Sequence, residues 1–546
     1  MAGAIPDSHG INLYRADRDA AALFAHYLPD ALYRHLDPHF DRLGALAGSH
    51  LDDLAAVANH NPPTLRLRRR SGEDCNIVEK HPAYVELERI AFSEFGLAAM
   101  SHRGGVLGWP EPMPAAAKYA LTYLFVQAEF GLCCPVSMTD SLTRTLKRYG
   151  APHLVDRFIE RLTALDFDEL TQGAMFMTEQ GAGSDVSATT TRAELQQDGT
   201  WRLYGDKWFC SNADADLAMV LARSEAAPGL KGISLFLLPR VRGDGRPNDF
   251  RILRLKDKLG SRSMASGEIR LEVAEAYLVG ERGHGFKQMA DKINNSRLSN
   301  GVRAAGLMRR ATTEALFTAC RRKAFGRRLI ELPLMRRQLV KMLVWTEQAR
   351  TMMFLTAEAL DRATAGDATG AKLARVMTPL IKFRACRDAR RVTGDAMEVR
   401  GGCGYIEEWP DPRLVRDAHL GSIWEGTSNI VALDVLRAIA RDQAMAALNN
   451  HLTGLLADTG LDADRRAPFE RMIERAGALA DHAARTGSDD LARQAASGLY
   501  HITTAVGLAR EAAKARLPHR LEPRDPLAAA SDGELIGTVL DAAAMG

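Results

Sequence analysis

Met177-Thr178-Glu179-Gln180-Gly181-Ala182-Gly183-Ser184-Asp185 stands where the periodicity of the chain changes. Ahead of it, up to about Asp168, apolar residues recur at helical spacing, as in Ala83–Phe92 and Ala117–Phe125. Behind it, from Ala174 to Gly280, come short β-type runs: Thr200–Tyr204, Leu217–Ala222 and Ile233–Leu238. Asp198-Gly199 and Asp244-Gly245 are hairpin signals between such runs. The stretch therefore marks the entry to a β-domain set between helical ones. Its glycines let backbone amides approach a phosphate, and Thr178 and Ser184 add hydroxyl donors. It lacks the Lys of a P-loop and the spacing of a dinucleotide fingerprint, so by itself it reads equally as a structural turn.

Helical periodicity returns after Gly285, over about 286–319, 329–364, 370–400 and 423–445, lengths that suit an antiparallel bundle. A polar stretch, 457–464, precedes two further helices, about 467–486 and 489–516, read as an appended domain. The tail from Leu517 to Pro526 is too rich in proline for regular structure. The expected domains are 1–173, 174–284, 285–445 and 446–546.

The 546 residues carry 71 Lys+Arg and 68 Asp+Glu, a net charge of +3, with 46% hydrophobic and 25% charged. That balance excludes disorder as the main state and leaves nucleic-acid or membrane attraction to local patches. Seven scattered cysteines, never spaced C-x-x-C, suit a reducing cytoplasm and no metal site. Neither a signal peptide nor a membrane span is expected.

Three more stretches carry chemistry. Gly205-Asp206-Lys207-Trp208-Phe209-Cys210-Ser211-Asn212 sets aromatics on a strand, with a hydroxyl two residues past Phe209 on the same face. Such a face holds a planar ring, or is ordinary core. Arg322-Lys323-Ala324-Phe325-Gly326 reads as a basic helix C-terminus with a glycine cap. Ser422-Ile423-Trp424-Glu425-Gly426-Thr427-Ser428-Asn429 sets a carboxylate among bulky apolar residues. Desolvation there makes a base useful near neutrality, although a first-turn acid complementing a helix dipole looks the same.

The joint order of these stretches resembles the acyl-CoA dehydrogenase flavoprotein family over about residues 80–440. The family's Thr-Glu-x-Gly-x-Gly-Ser-Asp is met by Thr178–Asp185. Its strand pattern is met by Gly205–Asn212, with Phe209 replacing the usual tryptophan. Lys258–Ser263, Arg297 ahead of Gly306-Leu307, and Gly401-Gly402-Cys403-Gly404-Tyr405 with Arg416-Asp417 follow in family order. The resemblance implies an α+β, mostly α protein: an N-terminal helical domain, a central β-barrel or sandwich, a helical bundle and an extra C-terminal helical domain. It implies FAD held by Met177, Thr178, Gly183, Ser184, Phe209 and Ser211 of one subunit and by Arg322, Phe325, Glu398, Gly401 and Gly402 of a neighbour in a homotetramer. Glu425 falls on the catalytic base, Thr427 and Asn429 lie close to the flavin, and Ser184 and Arg297 contact the acyl-CoA. Electron-transferring flavoprotein is the implied acceptor. Glu398 departs from the glutamine of most members, adding a charge near the adenosine end of FAD.

The extensions at both ends are similar to those of the AidB subgroup, linked to the response to DNA alkylation, in which dehydrogenase activity is weak and the C-terminal domain is implicated in binding double-stranded DNA. From Val431 to Gly546 there are 13 Lys+Arg against 16 Asp+Glu, which opposes a cationic footprint there. Basic clusters stand instead at Arg66–Arg70, Arg309-Arg310, Arg321–Lys323, Arg327-Arg328 and Arg336-Arg337, as solvated faces, intersubunit pairs or a nucleic-acid patch. Dehydrogenation of a thioester is the leading expectation and DNA binding the alternative.

Overall fold

The computed structural model describes residues 5–515 and 517. The chain forms two units, one built from residues 1–52, 114–128 and 297–546, the other from 53–113 and 129–296.

In the second unit the first third of the chain is not wholly helical. Strands β1 (Thr64–Arg68) and β2 (Asp74–Glu79) pair antiparallel, and the Arg66–Arg70 run lies in this hairpin. Arg66 pairs with Glu79 at 2.9 Å and Arg68 with Asp74 at 3.1 Å, so acidic residues of the same hairpin offset the run. The helices Pro82–Arg89, Cys133–Tyr149 and Pro152–Leu162 belong to the same unit.

Seven strands form the β-domain: β3 (Gly173–Phe176), β4 (Arg192–Leu195), β5 (Trp201–Ser211), β6 (Leu217–Arg223), β7 (Ile233–Pro239), β8 (Phe250–Leu255) and β9 (Ser266–Val279). They run β3-β6-β4-β5-β9-β7, and β7 pairs back onto β6, so the sheet closes into a barrel with β8 added on β9. Closure leaves fewer free edges than an open sheet would expose, at β3 and β8. Trp201, Leu203, Val220, Phe236, Leu238, Ile269 and Leu271 fill the interior. The Asp198-Gly199 turn joins β4 to β5, with Gly199 at φ +81°.

The first unit is helical. Its long helices, Gly285–Arg321 (shared across the boundary), Pro333–Thr364 and Ala368–Arg400, follow the expected segments within a few residues. Between the first two, the supposed basic helix terminus is a two-residue hairpin: β10 (Lys323–Ala324) pairs with β11 (Arg327–Arg328), and Phe325 and Gly326 turn the chain at φ +53° and +75°. Two positive φ values in succession match the twist of a tight hairpin. The segment expected at 423–445 starts only at Ser428 and ends at Asp442. Gln443 at φ +52° then breaks the chain into a separate helix, Ala444–Ala457. Helices Ala463–Thr486 and Ala492–Lys514 follow, and the proline-rich tail beyond Leu517 lies outside the described residues.

Arg309 and Arg310 are not surface residues. Arg309 pairs with Asp17 (3.2 Å) and Glu347, and Arg310 with Asp52 (2.7 Å) and Glu314 (2.7 Å), all buried or nearly so. A helix side that reads as basic in sequence is thus the floor of an internal ion-pair network with the N-terminal helices. No helix among the described residues is long and apolar enough to cross a membrane.

Candidate functional site

In the barrel unit, the glycine-rich stretch leaves β3 as a tight loop in which the Glu179 and Ala182 backbones bond each other (3.0 and 3.2 Å). Glu179 is its buried anchor. It accepts from the N–H and hydroxyl of Thr190 (both 2.7 Å), from those of Thr191 (3.1 and 2.6 Å) and from Lys207 Nζ (2.7 Å). Burial alone would raise its pKa; the Lys207 charge and these donors win and hold it at about 2. Lys207 also donates to the carbonyls of Leu221 (2.8 Å) and Met177 (3.4 Å), and Trp208 N–H to that of Thr178 (2.8 Å). Met177 and Thr178 are thereby fixed to β5, while Gly183 and Ser184 stay exposed. Phe209 is 58% exposed, unusual for a large ring, with Ser211 two residues along the same strand.

In the helical unit, Glu425 sits at φ +54°, followed by Gly426 at φ +94°. A left-handed non-glycine residue costs about 1–2 kcal/mol and persists only when its surroundings enforce it. Arg297 Nε donates to the Glu425 carbonyl (3.1 Å), and its other arm holds Asp434 (2.7 Å). Arg375 grips Asp434 through two bonds of 2.9 Å. Burial pushes the Asp434 carboxyl up, but Arg375 and Arg297 outweigh it and hold it below the usual range. From the other side, Lys382 Nζ donates to the carbonyls of Gly421 (2.6 Å) and Gly426 (3.2 Å). Burial lowers Lys382 to about 8, with Cys386 and Glu425 pulling the other way. The Arg303 guanidinium lies 4.7 Å over the Trp424 ring. Ile423 is exposed and Trp424 half-buried, immediately before Glu425 in the chain.

Glu425 and Arg297 are thus brought together, with Thr427 at the N-cap of helix Ser428–Asp442 and Asn429 exposed in its first turn. Arg322 donates to the Arg400 carbonyl (2.7 Å) beside the Gly401-Gly402 turn. Gly401 has φ +75°, and a β-carbon there would stand 2.9 Å from that guanidinium, so glycine is required. Phe325 at the hairpin tip is 94% exposed. Glu398 is exposed, near Gln338 (3.4 Å). Lys382, Arg375 and Asp434 lie outside the sequence-derived candidates. The signal for Lys382 is a lysine inside the apolar run Leu380-Ile381-Lys382-Phe383.

One unit presents a donor loop beside an exposed ring on a closed barrel, and the other displays a carboxylate on a strained backbone; these are residue types that a flavin-dependent oxidoreductase uses. Residues 174–274 match the acyl-CoA dehydrogenase middle domain, 283–440 its C-terminal domain, and 4–169 the adaptive response protein AidB N-terminal domain. The chain is 37% identical over 398 residues to the putative acyl-CoA dehydrogenase AidB of Escherichia coli K12, covering 71% of each chain. It is 30% identical over 477 residues to acyl-CoA dehydrogenase family member 11 of Caenorhabditis elegans, covering 85% of this chain and 77% of that one. A crystal structure of C. elegans ACDH-11 in complex with C11-CoA superposes with a TM-score of 0.88 at 26% identity, over 100% of this chain and 93% of that one. The chain belongs to the acyl-CoA dehydrogenase family, with its AidB-type N-terminal domain.

The family's cofactor is FAD. The residues present fit it. Among the described residues, the Gly183 and Ser184 amides make no hydrogen bond within the chain. A β-carbon at Gly181 would meet nothing within 4 Å and one at Gly183 only Thr178 at 4.0 Å, so the space over the loop is open. Free amides, two hydroxyls and an exposed ring suit a pyrophosphate joined to a planar heterocycle.

Proposed function

We propose that the chain oxidises the Cα–Cβ bond of an acyl-CoA thioester, with Glu425 as the base. The observation that carries this reading is the left-handed backbone of Glu425, whose own carbonyl is held by Arg297 and whose neighbour Gly426 is held by Lys382. A backbone held this firmly restricts where the Glu425 carboxylate can reach.

The thioester carbonyl acidifies the α-C–H, and the Glu425 carboxylate takes that proton. FAD, when bound, supplies the acceptor for the β-hydrogen as hydride, leaving an α,β-unsaturated thioester. The Glu425 backbone N–H is the proposed donor to the thioester carbonyl, where negative charge develops. Ile423 and Trp424 shed water from the carboxylate as the acyl chain enters, strengthening it as a base. Met177, Thr178, Gly183, Ser184, Phe209 and Ser211 would hold the flavin, with Thr427 and Asn429 beside it. Arg322, Phe325, Glu398, Gly401 and Gly402 would serve a neighbouring subunit's flavin in a homotetramer. Arg297, whose guanidinium is shared between the Glu425 carbonyl and Asp434, acts first as a positioning residue and through it on the substrate arm. Electron-transferring flavoprotein is the proposed acceptor, and 1–173, 174–284, 285–445 and 446–546 the proposed domains.

Anaerobic titration with short, branched and long acyl-CoA thioesters tests the reading. Bleaching of the oxidised-flavin band by one class in wild type, and its loss in Glu425→Gln, is expected; a flavin that stays oxidised with every thioester rejects it. The AidB-type N-terminal domain favours a second reading, duplex DNA binding with vestigial catalysis. A steep fall of duplex affinity with salt supports that reading, and absent binding at low salt removes it.

A further inference from the structure

Trp208 and Phe209 are successive residues of β5, and in a regular strand their side chains would point to opposite faces. The register between β5 and β9 shifts here. Lys207 is opposite Ile269 and Cys210 opposite Gly267, so Trp208 and Phe209 together face the single residue Glu268. This is a β-bulge, a feature that re-aims side chains and gathers at functional sites. One cation serves both rings. Lys256, just past β8, places Nζ 3.4 Å from the Trp208 ring centroid and 5.0 Å from that of Phe209. The same Nζ bonds Glu268 Oε1 at 2.5 Å, and Arg254 Nε bonds that oxygen at 2.7 Å. The Lys256 backbone N–H is tied to the Ser266 carbonyl (2.7 Å), and its side chain is only 12% exposed. The two rings stand edge to face, 6.3 Å apart at 77°. A lysine gives up much rotamer freedom to be held so, and neither ring is core that needs plugging: Phe209 faces outward.

We propose that Lys256, braced by Glu268 across the bulge, is a positioning residue for the Phe209 ring, holding it in the attitude that receives the flavin. The inference rests on the flavin reading above. Lys256 acts through the rings, and its ammonium adds one positive charge beside the face they present. No chemical step passes through it.

The test is a double-mutant cycle on FAD affinity. FAD is titrated into stripped wild-type protein, Lys256→Met, Phe209→Leu and the double variant, following flavin fluorescence, with Lys256→Arg as the conservative control. Each single change is expected to weaken FAD about tenfold, the scale of a partly desolvated cation–π contact. The double variant should be little weaker than either single one, because the two residues act as a unit. Lys256→Arg should recover most of the loss. Multiplying effects in the double variant, or wild-type affinity in Lys256→Met, overturns the proposal and leaves the flavin reading standing. Wild-type protein that takes up no FAD overturns both. Should Lys256→Met not fold, Glu268→Gln carries the same test: about threefold weaker FAD is expected, and unchanged affinity overturns the proposal.

Discussion

Glu425 joins a reactive carboxylate to a backbone conformation that a glutamate does not choose. Glu425→Gln keeps the clamp and removes the base, so flavin content should persist while substrate-driven bleaching slows by about 10²–10⁴-fold, measured by stopped-flow absorbance. Lys382 gives the clamp a pH dependence. Its amine titrates at 10.5 in the unfolded chain and at about 8 in the fold, because it is buried. The folded value is the lower one. Below pH 8 both states hold the proton and the burial penalty is constant; between 8 and 10.5 the unfolded chain keeps a proton the folded one has lost, so stability rises with pH. Turnover should do the reverse, falling through about pH 8 as the ammonium bonds to the Gly421 and Gly426 carbonyls lose their charge. A pH–rate profile checks this: Lys382→Met should lack that alkaline limb. The sequence marks Glu425 only through its flanking residues and the family pattern. It hides Lys382, because a buried lysine amid Leu380, Ile381 and Phe383 looks like one polar interruption of an apolar run, and its carbonyl partners lie about forty residues on.

Helices longer than four turns could be read from periodicity, since their apolar stripe repeats many times over. The two short hairpins outside the barrel could not. Leu65 and Leu67 alternate with arginines in β1, but only Leu65 packs against core while Leu67 is exposed, so the alternation declares little, and β10 and β11 are two residues each. The Lys323–Arg328 hairpin tip and the Gly401 turn beside Arg322 nevertheless have different duties. Phe325 is 94% exposed, so Phe325→Ala should leave thermal unfolding within about 0.5 kcal/mol of wild type. Gly401→Ala, at φ +75° with Arg322 2.9 Å from the new carbon, should lower stability by about 1–3 kcal/mol. Differential scanning calorimetry of the two variants reads both effects. The bulge in β5 was equally illegible: a Trp-Phe pair in sequence says nothing about which partner strand skips a residue.

Across the molecule, the helical unit carries a network of buried ion pairs. Asp17 pairs with Arg350 (2.5 Å) and Arg309, Asp52 with Arg310 and Arg413, and Glu314 with Arg310 and Arg400. Removing one partner of a buried pair strands the other, so Asp17→Asn should destabilise this unit by about 3–5 kcal/mol in urea unfolding. The long separations explain why Arg309-Arg310 reads as surface in sequence: of the compensating carboxylates, Asp17, Asp52 and Glu347 are far away along the chain. Tyr27 extends the pattern, bonding Glu511 (2.8 Å) on the helix Ala492–Lys514, 484 positions away. Asp17 meets Arg350 across 333 positions and Asp52 meets Arg413 across 361. On a ribosome making about 5–20 residues per second, Asp17 therefore waits roughly 15–70 s for its arginine. For that interval the first-made helices exist without the charges that complete them, and a nascent chain stalled before Arg309 should be a substrate for chaperones and proteases rather than a partly built enzyme.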